Sequence, residues 1–142
     1  MDTQLTEKYD CTKDVEDHQK RASYFIHKFT GQLVHRTFHH DESKLEEPEK
    51  SIFDQWVPNL KQVEFGSEEY KYALSQMGEG LKHHYENNSH HPEHYEAGID
   101  GMSLVDVVEM VSDWMAAAQA KGNPIDLTYL ANRFEISDQL TN

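Results

Sequence analysis

Cysteine is almost missing from this chain: Cys11 is the single one in 142 residues. That excludes an intrachain disulfide and any metal site built from several thiolates. No apolar run approaches the roughly 20 residues of a membrane span. Met1-Asp2-Thr3-Gln4 has neither the basic start nor the apolar stretch of a secretory signal. Together these absences lead us to expect a reducing, cytoplasmic location and no membrane partner. Basic residues are also scarce, 13 Lys and Arg against 26 Asp and Glu, for a net charge of −13 with histidines neutral. Such a chain repels polyanions at long range, and the few cations are scattered, so nucleic acid as the main partner is not expected. The sequence also has no P-loop, no Gly-rich dinucleotide turn, no nucleophile elbow and no His-Glu-x-x-His.

Strand-like alternation is lacking too. Apolar residues recur at three- and four-residue steps, which predicts an all-α chain folded as a single compact domain of about six helices. We expect its core over roughly residues 14–120, with a helical closure over 124–142. A first helix should start near Thr12, with Val15, His18, Ala22, Phe25, Ile26, Phe29 and Leu33 forming one buried face. Gly31 marks an expected break before a short second helix, Leu33 to His40. Pro48 can open a third, with Ile52, Phe53, Trp56 and Leu60 inward. Ser67 reads as the N-cap of a helix running to His84, weakened by Gly78 and Gly80. Ser103 and Asp106 form a capping-box pattern ahead of Leu104, Val107, Val108, Val111, Trp114 and Met115. Gly122-Asn123-Pro124 stops that helix, and a short one near Leu127 to Phe134 is expected to close the core.

What the chain has in quantity is histidine, ten in all, and most of them cluster. They appear as His39-His40-Asp41, His83-His84 and His90-His91-Pro92-Glu93-His94. Imidazoles and carboxylates are the ligands of borderline and hard divalent ions. His18 sits on an apolar stripe, where an unsatisfied polar group is costly and a metal would satisfy it. His40 and Asp41 are neighbours able to reach one ion from a helix end, and the carboxylate could bridge two. His84 and His91 could converge from a bent segment, because Asn87-Asn88 and Pro92 interrupt the helix between them. Asp113 lies mid-helix between Val111 and Trp114 and wants a partner. Glu109, on the same side, fits an orienting acceptor for a ligand histidine. Lys44 could steady a phosphate. Glu93 is a candidate proton shuttle, with His94 beside it. The residues leave open which histidine of each adjacent pair binds, and whether Asp106, explained by its cap, or Asp113 is the last ligand.

In order and type, His18, then His40-Asp41, then His84 and His91, then Asp113, the chain resembles the HD-domain superfamily. Val111-Ser112-Asp113-Trp114-Met115 resembles the segment that carries that family's final aspartate. His40-Asp41-x-Ser43-Lys44, with His90-His91-Pro92-Glu93-His94 and Asp113-Trp114, is also similar to a smaller group of HD-like proteins from bacteria and phages. The likeness spans roughly Asp14 to Ala120. It implies a helical HD-like domain, a bacterial or phage-encoded origin and one or two divalent metal ions (Mn, Fe, Co, Zn, Ni or Mg). One ion would be held by His18, His40, Asp41 and Asp113, and a second by His84 and His91 with Asp41 as bridge. The implied activity is metal-dependent phosphohydrolysis of a nucleotide or related small phosphate ester. Lys44 would neutralise the phosphate, and Glu93 or His94 would relay protons. An HD-like di-iron oxygenase and a non-catalytic, metal-stapled binding protein are the alternatives. A homo-oligomer is compatible with all three. Only 22 residues separate His18 from His40 (40 − 18), so this scheme needs its first two helices tightly joined.

Overall fold

Helical periodicity without strand patterning has its expected result. A computed structural model describes residues 9–122 together with Asn132. Among these it shows five α-helices, three short 3₁₀ turns and no strand. The helices are α1 (Thr12–His39), α2 (Glu49–Leu60), α3 (Glu68–Gln76), α4 (Gly78–Asn87) and α5 (Leu104–Ala120). No helix among the described residues is long and apolar enough to cross a membrane. The expected closure over 124–142, including the short helix near Leu127, lies outside the described residues.

Two boundaries differ from expectation. Gly31 breaks nothing, and α1 is one helix of 28 residues. A glycine inside a helix costs only about 1 kcal/mol relative to alanine, too little to end a helix of this length. Conversely, the single helix expected after Ser67 divides at Met77, where the chain passes from α3 into α4. Gly80 explains why α4 takes its place. A Cβ there would lie 3.0 Å from the Ile52 side chain, so the missing side chain lets α4 settle close on α2.

The caps were legible. Ser67 Oγ accepts the Tyr70 amide at 3.1 Å. Ser103 and Asp106 form the complete reciprocal box that starts α5. Pro58 lies inside α2, which ends two residues later. α1 starts at Thr12, as its spacing predicts, but with Cys11 at the cap position; the Thr12 amide donates to Asp10 at 3.0 Å.

The buried centre is small and belongs mostly to α5. Met110 is buried against Ile99, Met102, Val107 and Trp114. Ala73, Met77, Val105 and Val111 are buried as well. The expected inward face of α1 is a correction: no α1 residue is buried, and Val15, Phe25 and Ile26 are exposed. Among the described residues, the C-terminal part of α1 packs alongside α5 and in the same direction. Arg36 meets Asp106 and His40 meets Asp113, so the contacts advance together along both helices. Equally telling is what is buried besides the apolar side chains: Glu49, His84, Asn88, His90, Asp106 and Glu109. Buried ionisable groups need partners; Glu49 has His84, and Asp106 and Glu109 share Arg36.

Candidate metal centre

Five segments supply the polar interior. The chain leaves α1 at His39 and turns sharply at Asp41, whose φ is +57°, a left-handed conformation that Asp reaches more readily than most residues. This turn puts His40 and Asp41 over the C-terminal end of α4. Ser43, in the 3₁₀ turn that follows, accepts from the buried Asn88 Nδ2 at 2.7 Å. Asn88 also donates to the His84 carbonyl at 2.8 Å. That pair fastens the His40-Asp41 turn to the end of α4. The segment after Asn88 then brings His90 and His91 back over the same spot.

The donor atoms converge. One nitrogen each from His84, His90 and His91 and one oxygen of Asp41 lie within 4.8 Å of one another. His84 Nε2 is 2.9 Å from His91 Nε2. Asp41 Oδ1 is 3.4 Å from both His84 Nε2 and His90 Nε2. Donors about 2.1 Å from one ion lie about 3.0 Å apart across an octahedral edge and about 3.4 Å across a tetrahedral one. The three separations fall at these two edge lengths, within the range of donors that share one ion. Two of the atoms, Asp41 Oδ1 and His90 Nε2, 3.4 Å apart, are buried without a well-formed hydrogen bond among the described residues, a condition rare enough in folded proteins to need a cause. A second group, His40, His90 and Asp113, adjoins the first, with His40 Nε2 3.3 Å from Asp113 Oδ1 and 3.5 Å from Asp41 Oδ2.

The far nitrogens are held by carboxylates. Glu49, fully buried, takes His84 Nδ1 at 2.9 Å with one oxygen and His83 Nδ1 at 2.7 Å with the other. Glu109 Oε1 takes His40 Nδ1 at 3.0 Å and lies 3.4 Å from His90 Nδ1. A carboxylate on Nδ1 fixes ring and tautomer and leaves the Nε2 lone pair for a metal. Glu109 is held in turn by Arg36, whose guanidinium donates to Glu109 Oε2 at 2.8 Å and to Asp106 Oδ1 at 2.7 Å. Ser89 and Tyr95 also donate to Asp106, at 2.6 and 2.9 Å.

Protonation follows from these neighbours. Burial, then His90 and His84, push His91 down to about 3. Burial, helped by Lys44, also lowers His84. Burial works to raise Asp41, but His90 and the Lys44 ammonium outweigh it and hold the carboxyl far below its ordinary range. His40 goes the other way: burial lowers it, but the hydrogen bond to Glu109 and the charges of Asp41 and Asp113 win and raise it. Lowered His84 and His91 beside an ionised Asp41 are in the protonation states that a divalent cation requires.

Of the sequence candidates, the fold brings together His40, Asp41, His84, His91 and Asp113, with Glu109 behind them and Lys44 paired to Asp41. It does not bring His18. That residue is exposed on α1, and because α1 is unbroken to His39, it lies about 30 Å from the cluster at 1.5 Å per residue. The expected four-ligand set His18, His40, Asp41 and Asp113 is thereby corrected. Glu93 and His94 are exposed as well. They face a separate groove against α4 with Lys82 and Tyr85, and His94 Nδ1 pairs with the Tyr85 carbonyl; neither joins the donors. Asp106 is a cap and a partner of Arg36, not a donor to the cluster.

Two residues escaped the sequence reading, and within the His90-His91 pair the choice stood open. His90 was visible as one of a pair, but both members of that pair point inward. Arg36 continues the Val15, Ala22, Phe29 spacing at seven-residue steps, and a charged residue on an apolar stripe was the available signal. Glu49 carried no signal beyond being an acid after a proline.

A family model matches residues 7–141, nearly the whole chain. The chain belongs to the family of unknown function DUF5662. Neither a curated protein nor a solved structure matches it. The DUF5662 match spans every donor in the cluster, from His40 to Asp113.

Proposed function

We propose that this chain is a metal-dependent phosphohydrolase of the HD-like kind, acting on a small phosphate ester. The observation that carries the reading is the pair of buried atoms without a well-formed hydrogen bond among the described residues, Asp41 Oδ1 and His90 Nε2, among nitrogens already aimed at the same point. Asp41, His84, His90 and His91 would hold a divalent cation. His40 and Asp113 stay outside that ligand set. When bound, such a cation supplies Lewis-acid polarisation of the phosphoryl group and an activated water.

The rest falls to the chain's own side chains. Glu49 and Glu109 hold the histidine rings in their binding orientation. Lys44, paired to Asp41, places a positive charge beside the phosphoryl position. The His40–Asp113 pair, 3.3 Å apart at the open side of the cluster, takes and returns protons. Water oxygen bonds to phosphorus, the ester P–O bond breaks, and the leaving alcohol oxygen takes a proton from His40.

Elemental analysis of the purified protein, followed by phosphate release from an ester panel with and without chelator, tests this reading. Bound metal together with chelator-sensitive release supports it. A protein that takes up no divalent ion and releases phosphate from no ester overturns it.

A further inference from the structure

A cleft of about 350 Å³ runs between α1 and α5 and ends on the cluster, since His40 and Asp113 form part of its lining. Its volume falls at the lower end of small-molecule sites, which span roughly 300–1,000 Å³. The remaining wall is mostly apolar, with Leu33, Val108 and Ala116 prominent.

Charge sharpens the picture. A polyphosphate chain needs cationic donors along its length. The one basic side chain besides His40 that lines this cleft is Arg36, and its guanidinium is already engaged by Asp106 and Glu109. Lys44 is engaged by Asp41. Asp113 adds a carboxylate at the inner end. Among the residues lining this cleft no cation is left to meet a second or third phosphate, whereas an uncharged apolar group meets matching surface.

We infer that the cleft holds the leaving-group side of the substrate, and that the substrate is a phosphate monoester with a compact, uncharged, apolar or aromatic body rather than a nucleoside polyphosphate. This rests on the phosphohydrolase reading above. The reaction is R–O–PO₃²⁻ plus water giving R–OH and hydrogen phosphate, with R in the cleft and the phosphoryl group at the cluster.

The test uses the full chain loaded with Mn²⁺. Initial rates are measured for phenyl phosphate, methyl phosphate and ATP, in the parent protein and in Ala116→Phe, which fills the cleft from an exposed helix position. We expect kcat/KM for phenyl phosphate to exceed that for ATP at least tenfold. In Ala116→Phe, KM for phenyl phosphate should rise at least fivefold, with methyl phosphate hydrolysis, metal content and helical circular dichroism unchanged. ATP hydrolysed as well as phenyl phosphate, or an unchanged KM in the variant, overturns the inference. If no ester releases phosphate, the hydrolase reading fails, and calorimetry with the inert phenylphosphonate then decides the cleft by itself. Binding weakened at least fivefold by Ala116→Phe supports an apolar-ligand site, and absence of binding defeats it.

Discussion

His84 Nε2 and His91 Nε2 face each other at 2.9 Å, and the first of them has its other nitrogen on the buried carboxylate of Glu49. If Nδ1 of His84 carries the hydrogen that Glu49 accepts, Nε2 presents a lone pair. His91 must then either donate to it or present a second lone pair to a common cation. Asp41, 3.4 Å from His84 Nε2, makes the second arrangement electrostatically favourable, because Lys44 serves its Oδ2 and leaves Oδ1 facing imidazole nitrogens. Replacing either member should therefore cost metal before it costs fold. We expect His84→Ala and Asp41→Ala to lose at least 100-fold in divalent-ion affinity by competition with a chromogenic chelator, while far-ultraviolet circular dichroism retains the parent helicity. Parent-like affinity in Asp41→Ala would remove that residue from the site.

Glu109 touches His40, lies near His90 and is itself held by Arg36, so one carboxylate orients a ring in each donor group. Glu109→Gln keeps the shape and changes the charge and hydrogen-bonding pattern. Partners of this kind are worth about 10- to 100-fold in metal affinity. We expect a loss in that range, accompanied by a changed visible spectrum in the Co²⁺-loaded protein. A spectrum and affinity identical to the parent would show that Glu109 serves packing alone.

Arg36 stands between two carboxylates that are only 4% and 8% exposed. Removing it strands both charges, and a broken buried pair costs about 3–5 kcal/mol. Because Arg36 itself is 32% exposed, water can partly replace it and the low end applies. Arg36→Met should lower stability by about 3 kcal/mol in urea unfolding of the metal-free protein. Asp106→Asn in the same background should recover part of that loss. No recovery would mean that the damage comes from lost packing of the arginine stem.

Acid should destabilise the metal-free protein earlier than carboxylate titration would suggest. His91 is depressed from 6.5 to about 3, and His84 is also lowered. Below pH 6.5 the unfolded chain binds protons at these residues and the folded chain does not. Stability from them is therefore fully present above about 6.5 and lost as pH falls toward 3, at up to about 1.4 kcal/mol per pH unit for each fully shifted group. His40, raised by its carboxylate neighbours, acts oppositely: its contribution is present below 6.5 and lost as pH rises through its folded pKa. Chelated protein should thus be most stable near pH 6.5, and His91→Phe should flatten the acid limb. A stability curve with no slope between pH 4 and 6 in the parent would refute the assignment.

How much of this was readable in advance depended on the distance over which each feature is determined. The caps at Ser67 and Ser103 are local hydrogen bonds between residues three apart, and both were legible. So were Asp113, a carboxylate with no local reason to sit beside apolar neighbours, and the bend that lets His84 and His91 meet. Glu49 was not legible, because its two histidines lie 34 and 35 residues away. Neither was Arg36, whose carboxylates lie 70 and 73 residues away. Their burial is a property of how α2, α4 and α5 pack, which no short window contains. The misplacement of His18 arose differently. Its periodicity was read correctly as one helix face, but that face is not buried among the described residues, so the cost of an unsatisfied buried imidazole never arises there.

That misplacement supplies the sharpest negative control. His18 and His40 were paired as ligands on the strength of their order along the chain, which requires a turn near Gly31. With α1 continuous from Thr12 to His39, the rise of the helix alone keeps them about 30 Å apart, far beyond any shared coordination sphere. His18→Ala should leave metal stoichiometry and affinity within twofold of the parent, while His90→Ala, a residue that the order of ligands passed over, should lower affinity at least 100-fold. Isothermal titration with Zn²⁺ on the two variants separates the arrangements directly. If His18→Ala lost the metal and His90→Ala kept it, α1 would have to break at Gly31 and fold back, and the cluster built around Asp41 Oδ1 would be wrong.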